Sequence, residues 1–249
     1  MLESLLPPEL GPLTSAALLG VSFLGSFITA AFGIGGGVVV LATFASLLSP
    51  AALIPIHGVV QFGSNAGRAV IMWEHIDWPI WTVFVIGTVI GVAIGGVIVI
   101  DLPPAIIQIA IGAFILWTIF SKPPAIFKRS AWLVGGVSSA LTMFFGATGP
   151  FVSAYLKTRE YDRMGQVAMQ GACMTVQHGL KVLAFGVLGF AFGPYIALVI
   201  GMIVFGFAGT IVGRKVLMKI DEKRFKLALN AILILLALRL IWSGASAYL

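Results

Sequence analysis

The chain repeats itself at a fixed distance of 113 residues, and what it repeats is a polar stripe set in apolar sequence. His57, Gln61, Asn65 and Arg68 form the first stripe, and Gln170, Gln177, His178 and Lys181 form the second. Positions 57 and 170, 65 and 178, and 68 and 181 each differ by 113. The same shift carries Phe32-Gly33 onto Phe145-Gly146 and Gly58 onto Gly171. Few architectures accept such a unit, because polar and ionisable groups are costly inside a bilayer and by default mark a substrate or ion path.

That the surroundings are a bilayer follows from composition. Hydrophobic residues make up 59% of the chain and charged residues 10%, against roughly 45–50% and 25% in a soluble domain. The mean hydropathy is +1.08. The 30 glycines suit close helix packing and broken helices in a membrane. A formal net charge of +6 sits mostly in the connections, which sets orientation and gives no reason to expect nucleic-acid binding. A single cysteine, Cys173, excludes an intrachain disulfide. Met1 to Leu10 has Glu3 and Glu9 but no basic residue, so it lacks the positive region of a cleaved signal peptide.

The pattern predicts an all-α integral membrane protein with helical segments at 12–31, 36–48, 50–72, 78–100 and 103–120, then at 130–145, 149–157, 163–188, 194–218 and 223–246. These form two membrane repeats, 1–121 and 130–249, within one membrane domain. The segments 36–48 and 149–157 cover only about 20 and 14 Å at 1.5 Å per residue, short of a ~30 Å hydrocarbon core. Each is expected to form a glycine-broken hairpin with its predecessor. Basic residues cluster in three connections: Lys122 to Arg129, Lys157 to Arg163, and Arg214 to Lys226. Placing these in the cytoplasm leaves both termini outside. The two repeats of five segments are then inverted relative to one another, a common plan for secondary transporters. The link Trp73-Glu74-His75-Ile76-Asp77-Trp78 falls on the cytoplasmic side yet is acidic.

The breaks Phe32-Gly33-Ile34-Gly35-Gly36-Gly37 and Phe145-Gly146-Ala147-Thr148-Gly149-Pro150 each open a short helix. A helix start has free N–H groups and partial positive charge. Glycine lets an anion approach that backbone, and Pro150 suits a first turn. Close helix packing is the competing account of one such cluster. Two clusters at matched positions favour an anion cradle built from Gly33, Gly35, Gly36, Gly37, Gly146, Thr148 and Gly149. The stripes add His57, Gln61, Asn65, Arg68, Gln170, Gln177, His178 and Lys181, whose spacing puts each set on one helix face. Donors and cations without a carboxylate suit an oxyanion. Arg68 offers a planar fork and Lys181 a mobile point charge. Snorkelling to headgroups is the alternative for both cations.

The expected spans hold no aspartate or glutamate except at their ends, which disfavours cation transport and metal binding. No nucleophile–base–acid set is apparent, so no enzyme is expected, nor any cofactor or metal. The expected partners are a small anionic substrate and the lipid bilayer. A homo-oligomer is compatible with the pattern. An anion leaving a negative interior gains about 2.3 kcal/mol per 100 mV, so export requires no driving cation. Proton coupling through His57 or His178 is an open alternative, as are an anion channel with the same lining and a membrane scaffold subunit that transports nothing.

At Gly33-Ile34-Gly35-Gly36-Gly37 and Gly146-Ala147-Thr148-Gly149-Pro150, on a duplicated helical frame, the chain resembles the TauE/SafE family of sulfite and organosulfonate exporters over essentially its whole length. The resemblance implies export of a small sulfur-containing anion, such as sulfite or sulfoacetate, across the bacterial inner membrane. That family often has a proline several residues after the first glycine motif; Val40-Leu41-Ala42-Thr43 stands there instead.

Overall fold

A computed structural model describes residues 7, 10–32, 35–99, 103–122, 124–125, 130–216 and 222–248. Among these residues the secondary structure is entirely helical, with ten α-helices: α1 (Pro12–Phe32), α2 (Gly36–Leu47), α3 (Pro50–Ile71), α4 (Trp78–Val99), α5 (Pro104–Phe120), α6 (Ala131–Phe145), α7 (Gly149–Leu156), α8 (Arg163–Val187), α9 (Ile196–Val216) and α10 (Glu222–Ala245). Every expected segment is present, with ends within two residues of those expected. The 113-residue shift carries the end of α1 onto that of α6 and the starts of α2 and α3 onto those of α7 and α8. α2 runs unbroken through Val40 to Thr43, so the missing proline leaves it a continuous helix.

Among the described residues, three stretches are long and apolar enough to cross a membrane: Pro12–Ala31, Trp78–Val99 and Gly193–Gly213, with mean hydropathies of 1.7, 2.5 and 2.4. Their outer faces carry large exposed side chains such as Ile86, Ile90 and Ile94 of α4 and Ile200, Val204 and Phe207 of α9. That surface suits lipid chains and would be unsuited to water.

Small residues set the packing. Gly87, Gly91 and Gly95 of α4 lie against Trp132, Gly136 and Ala140 of α6, so these helices run parallel with their backbones in close approach. In the same way Gly201, Gly209 and Gly213 of α9 lie against Leu19, Phe23 and Phe27 of α1. The shift that turns α1 into α6 also turns α4 into α9, so the two extensive contacts α4–α6 and α1–α9 are counterparts. The remaining extensive pairs each join a helix to its own counterpart. α3 crosses α8 antiparallel, with Gly58 against Lys181 and Gly171 against Arg68. α5 crosses α10 antiparallel, with Gly112 against Ala237 and Gly244 against Ala105. Matched hydrogen bonds follow the same shift: Ser26 and Ser64 pair through their hydroxyls at 2.9 Å, and their counterparts Ser139 and Gln177 pair at 2.9 Å.

The acidic α3–α4 link is explained by its contacts. Asp77 Oδ1 accepts from the Ile80 backbone N–H at 3.2 Å at the start of α4, where a carboxylate complements the helix end. Its Oδ2 accepts from the Tyr161 hydroxyl at 2.8 Å. The link therefore lies beside the basic α7–α8 connection at the same end of the bundle. Asp162 caps α8 there, accepting from the Gly165 N–H at 2.7 Å.

Candidate substrate site between the central helices

The two glycine breaks place the starts of α2 and α7 against the α3–α8 crossing. Gly35 has φ 106° and Gly146 has φ 76°, conformations that require glycine. Gly36 serves a different need: a Cβ there would fall on the Gly25 carbonyl oxygen, so it lets α2 fold back tightly on α1. Aromatic rings brace the second hairpin from behind. Phe114 of α5 stacks on Phe145 at 4.8 Å and lies 5.8 Å from Phe151, ring centre to ring centre.

The polar stripes meet these helix starts through their side chains. His57 Nε2 lies 3.1 Å from the Gly37 carbonyl oxygen. Its counterpart Gln170 donates from Nε2 to the Gly149 carbonyl at 3.3 Å. The His57 and His178 rings approach edge to face at 5.8 Å, so the stripes touch across the crossing. Asn65 donates to the Gln61 carbonyl at 2.7 Å, and its own Oδ1 accepts from Arg68 Nη2 at 2.6 Å. Gln177 is a hub: it accepts from the Thr148 hydroxyl at 3.1 Å and donates to Ser138 and Ser139 at 2.9 Å each. Lys181 Nζ donates to the Gly146 carbonyl at 3.3 Å, where the end of α6 is electronegative. The Thr142 hydroxyl donates to the same carbonyl at 3.0 Å.

A cavity of about 50 Å³ lies among these groups. Its lining includes Gly35, Gly37, His57, Gln61, Asn65, Arg68, Gly149, Gln170 and His178, with no carboxylate. Four buried polar atoms on lining residues have no hydrogen-bond partner: His57 Nδ1, Arg68 Nη1, Gln170 Oε1 and His178 Nδ1. Buried polar groups are normally paired, and unpaired ones cost about 1–3 kcal/mol each. All four belong to residues that line the one cavity. Arg68 is only 6% exposed and Lys181 is fully buried, so neither cation reaches a lipid headgroup. Each is held inside the bundle by hydrogen bonds to neutral groups.

Nine of the residues expected from the sequence line the cavity, and Gly36, Gly146, Thr148, Gln177 and Lys181 lie behind it. Gly33 lies outside the described residues. Sequence reasoning missed Thr29, Val38, Ala147, Pro150 and Met174 in the lining, and Ser138 and Ser139 behind it. A signal existed for two of them. The 113-residue shift pairs Thr29 with Thr142 and Ser26 with Ser139, which extends the repeat into α1 and α6.

The family description Sulfite exporter TauE/SafE matches residues 18–240. No curated protein and no solved structure matches the chain.

Proposed function

The chain belongs to the sulfite exporter TauE/SafE family, and from that premise we propose that it exports a small sulfur-containing anion across the bacterial inner membrane by alternating access. Sulfite, sulfoacetate and related organosulfonates are the substrate class. We further propose that residues 1–121 and 130–249 are inverted repeats. The antiparallel crossings of α3 with α8 and α5 with α10 support this, since inverted counterparts must run in opposite directions where they meet. The basic connections support an orientation with the Asp77–Tyr161 end in the cytoplasm and both termini outside. An impermeant thiol label on a cysteine placed at Tyr248 tests that orientation, and protection in intact spheroplasts would reverse it.

The observation that carries the substrate reading is the set of four unpartnered polar atoms around a carboxylate-free cavity, with Arg68 among them and two helix starts in the wall. The anion would lie between the starts of α2 and α7, take charge-assisted hydrogen bonds from Arg68, and feel Lys181 through the wall. A water needs at least about 10–15 Å³ on this volume scale, so the cavity has room for a few atoms the size of water oxygens. That suits the three oxygens of sulfite. A longer sulfonate would require the helix starts to separate.

Proteoliposome flux tests the proposal. Sulfite efflux should saturate with concentration, follow the membrane potential, and vanish in Arg68→Ala. Very fast flux that never saturates would indicate a channel. Absence of both flux and sulfite binding would leave a scaffold. Flux that is indifferent to a proton gradient at fixed potential would remove histidine-mediated proton coupling.

A further inference from the structure

The counterpart side chains His57 and Gln170 are tied down in the same unusual way. A backbone carbonyl can only accept a hydrogen bond. The Gly37 carbonyl faces His57 Nε2, so that nitrogen carries the hydrogen, and in the neutral ring Nδ1 is a bare acceptor. The Gly149 carbonyl faces the Gln170 amide nitrogen, so Oε1 is the free end of that amide. Both free atoms are buried and have no partner. Each short helix thus uses a first-turn carbonyl to take a hydrogen from one stripe residue, leaving an acceptor unpaired on a residue that lines the cavity; the Gln170 amide keeps its second hydrogen. The unpaired side-chain groups that can donate are Arg68 Nη1 and, in one tautomer, His178 Nδ1.

Building on the reading of the cavity as an anion site, we infer that it selects an oxyanion carrying its own hydrogen: hydrogensulfite, rather than the sulfite dianion. A hydrogen-free anion has only lone pairs on its oxygens. Filling the cavity with it would set those lone pairs against His57 Nδ1 and Gln170 Oε1 while satisfying only the donors. Hydrogensulfite offers oxygens to Arg68 and its hydrogen to one of the two acceptors. The competing arrangement puts the proton on His57 Nδ1 and makes that atom a donor. The presence of Lys181 beside Gly58, and of Arg68 and His178 around the same space, opposes a further positive charge there.

Calorimetric titration of the purified protein with hydrogensulfite and with chlorate tests the inference, at a pH where hydrogensulfite predominates. Chlorate is a pyramidal monoanion of similar shape with no hydrogen. Hydrogensulfite should bind about tenfold tighter or more, the order expected when a buried acceptor is otherwise left facing lone pairs. Gln170→Met and His57→Leu should lower that ratio, weakening hydrogensulfite while chlorate binding does not fall. The wild-type ratio decides the matter even where one variant does not fold. Chlorate binding as tightly as hydrogensulfite overturns the inference and leaves the anion site standing. A preference that survives both substitutions overturns it too, by assigning selection elsewhere. Binding of neither anion overturns both the inference and the reading on which it rests.

Discussion

Arg68 shows what the site demands of a single side chain. One guanidinium nitrogen is fixed by Asn65 at 2.6 Å and another is unpaired and buried. A lysine keeps the charge but cannot divide itself between a fixed partner and a ligand. Arg68→Lys should therefore lose one charge-assisted hydrogen bond, roughly 1.5–3 kcal/mol, and bind sulfite about tenfold to a hundredfold more weakly. Titration of the purified variant checks this, and unchanged affinity would remove Arg68 from contact with the anion. The stripe that carries Arg68 was legible in the sequence because helical spacing reveals a shared face. Its wiring was not legible. Nothing in the spacing of His57 and Gln170 foretold that each would turn to a carbonyl of a short helix, since those carbonyls belong to another element. Lys181 is a further case: spacing made it the counterpart of Arg68, but its ammonium caps α6 from behind the cavity.

At the scale of elements, the breaks and polarity changes located all ten helices, because glycine, proline and charge interrupt apolar runs sharply. Which helices adjoin was harder to read, as it depends on where two backbones can approach. Gly91 and Gly96 of α4 separate the two uses of glycine. A Cβ on Gly91 would fall on the Gly136 carbonyl oxygen of α6, whereas one on Gly96 would meet only the Met143 Cε at 3.9 Å. Gly91→Ala should destabilise the protein by about 1–3 kcal/mol through forced separation of α4 and α6. Gly96→Ala should be neutral or slightly stabilising, since alanine favours helix. Thermal unfolding in detergent compares them, and equal midpoints would contradict the close contact.

For the whole molecule, the connection between halves matters most at the end where Asp77 meets Tyr161. This hydrogen bond joins the α3–α4 link to the α7–α8 link, and so spans the two proposed repeats. Burial and then the Asp77 bond hold the Tyr161 hydroxyl above the ordinary tyrosine range. The folded state thus keeps a proton that the unfolded chain gives up above roughly pH 10. The contribution is complete below that value and declines as pH rises toward the folded value. Tyr161→Phe should cost about 0.5–1.5 kcal/mol near neutrality and should flatten the alkaline fall of the unfolding midpoint. An equally steep fall in the variant would show that Tyr161 does not govern it. The 113-residue shift suggested two halves; this tie was invisible because Asp77 and Tyr161 are not counterparts under the shift.

The small cavity volume has one more consequence. An ion seated there has no room for its hydration shell, so entry is a dehydration step before it is a recognition step. In the Born picture that cost grows with the square of the charge, so a dianion is penalised roughly four times as heavily as a monoanion of equal radius. Sulfate and hydrogenphosphate would then be turned away at the entrance by the water they cannot shed, however well their oxygens matched the wall.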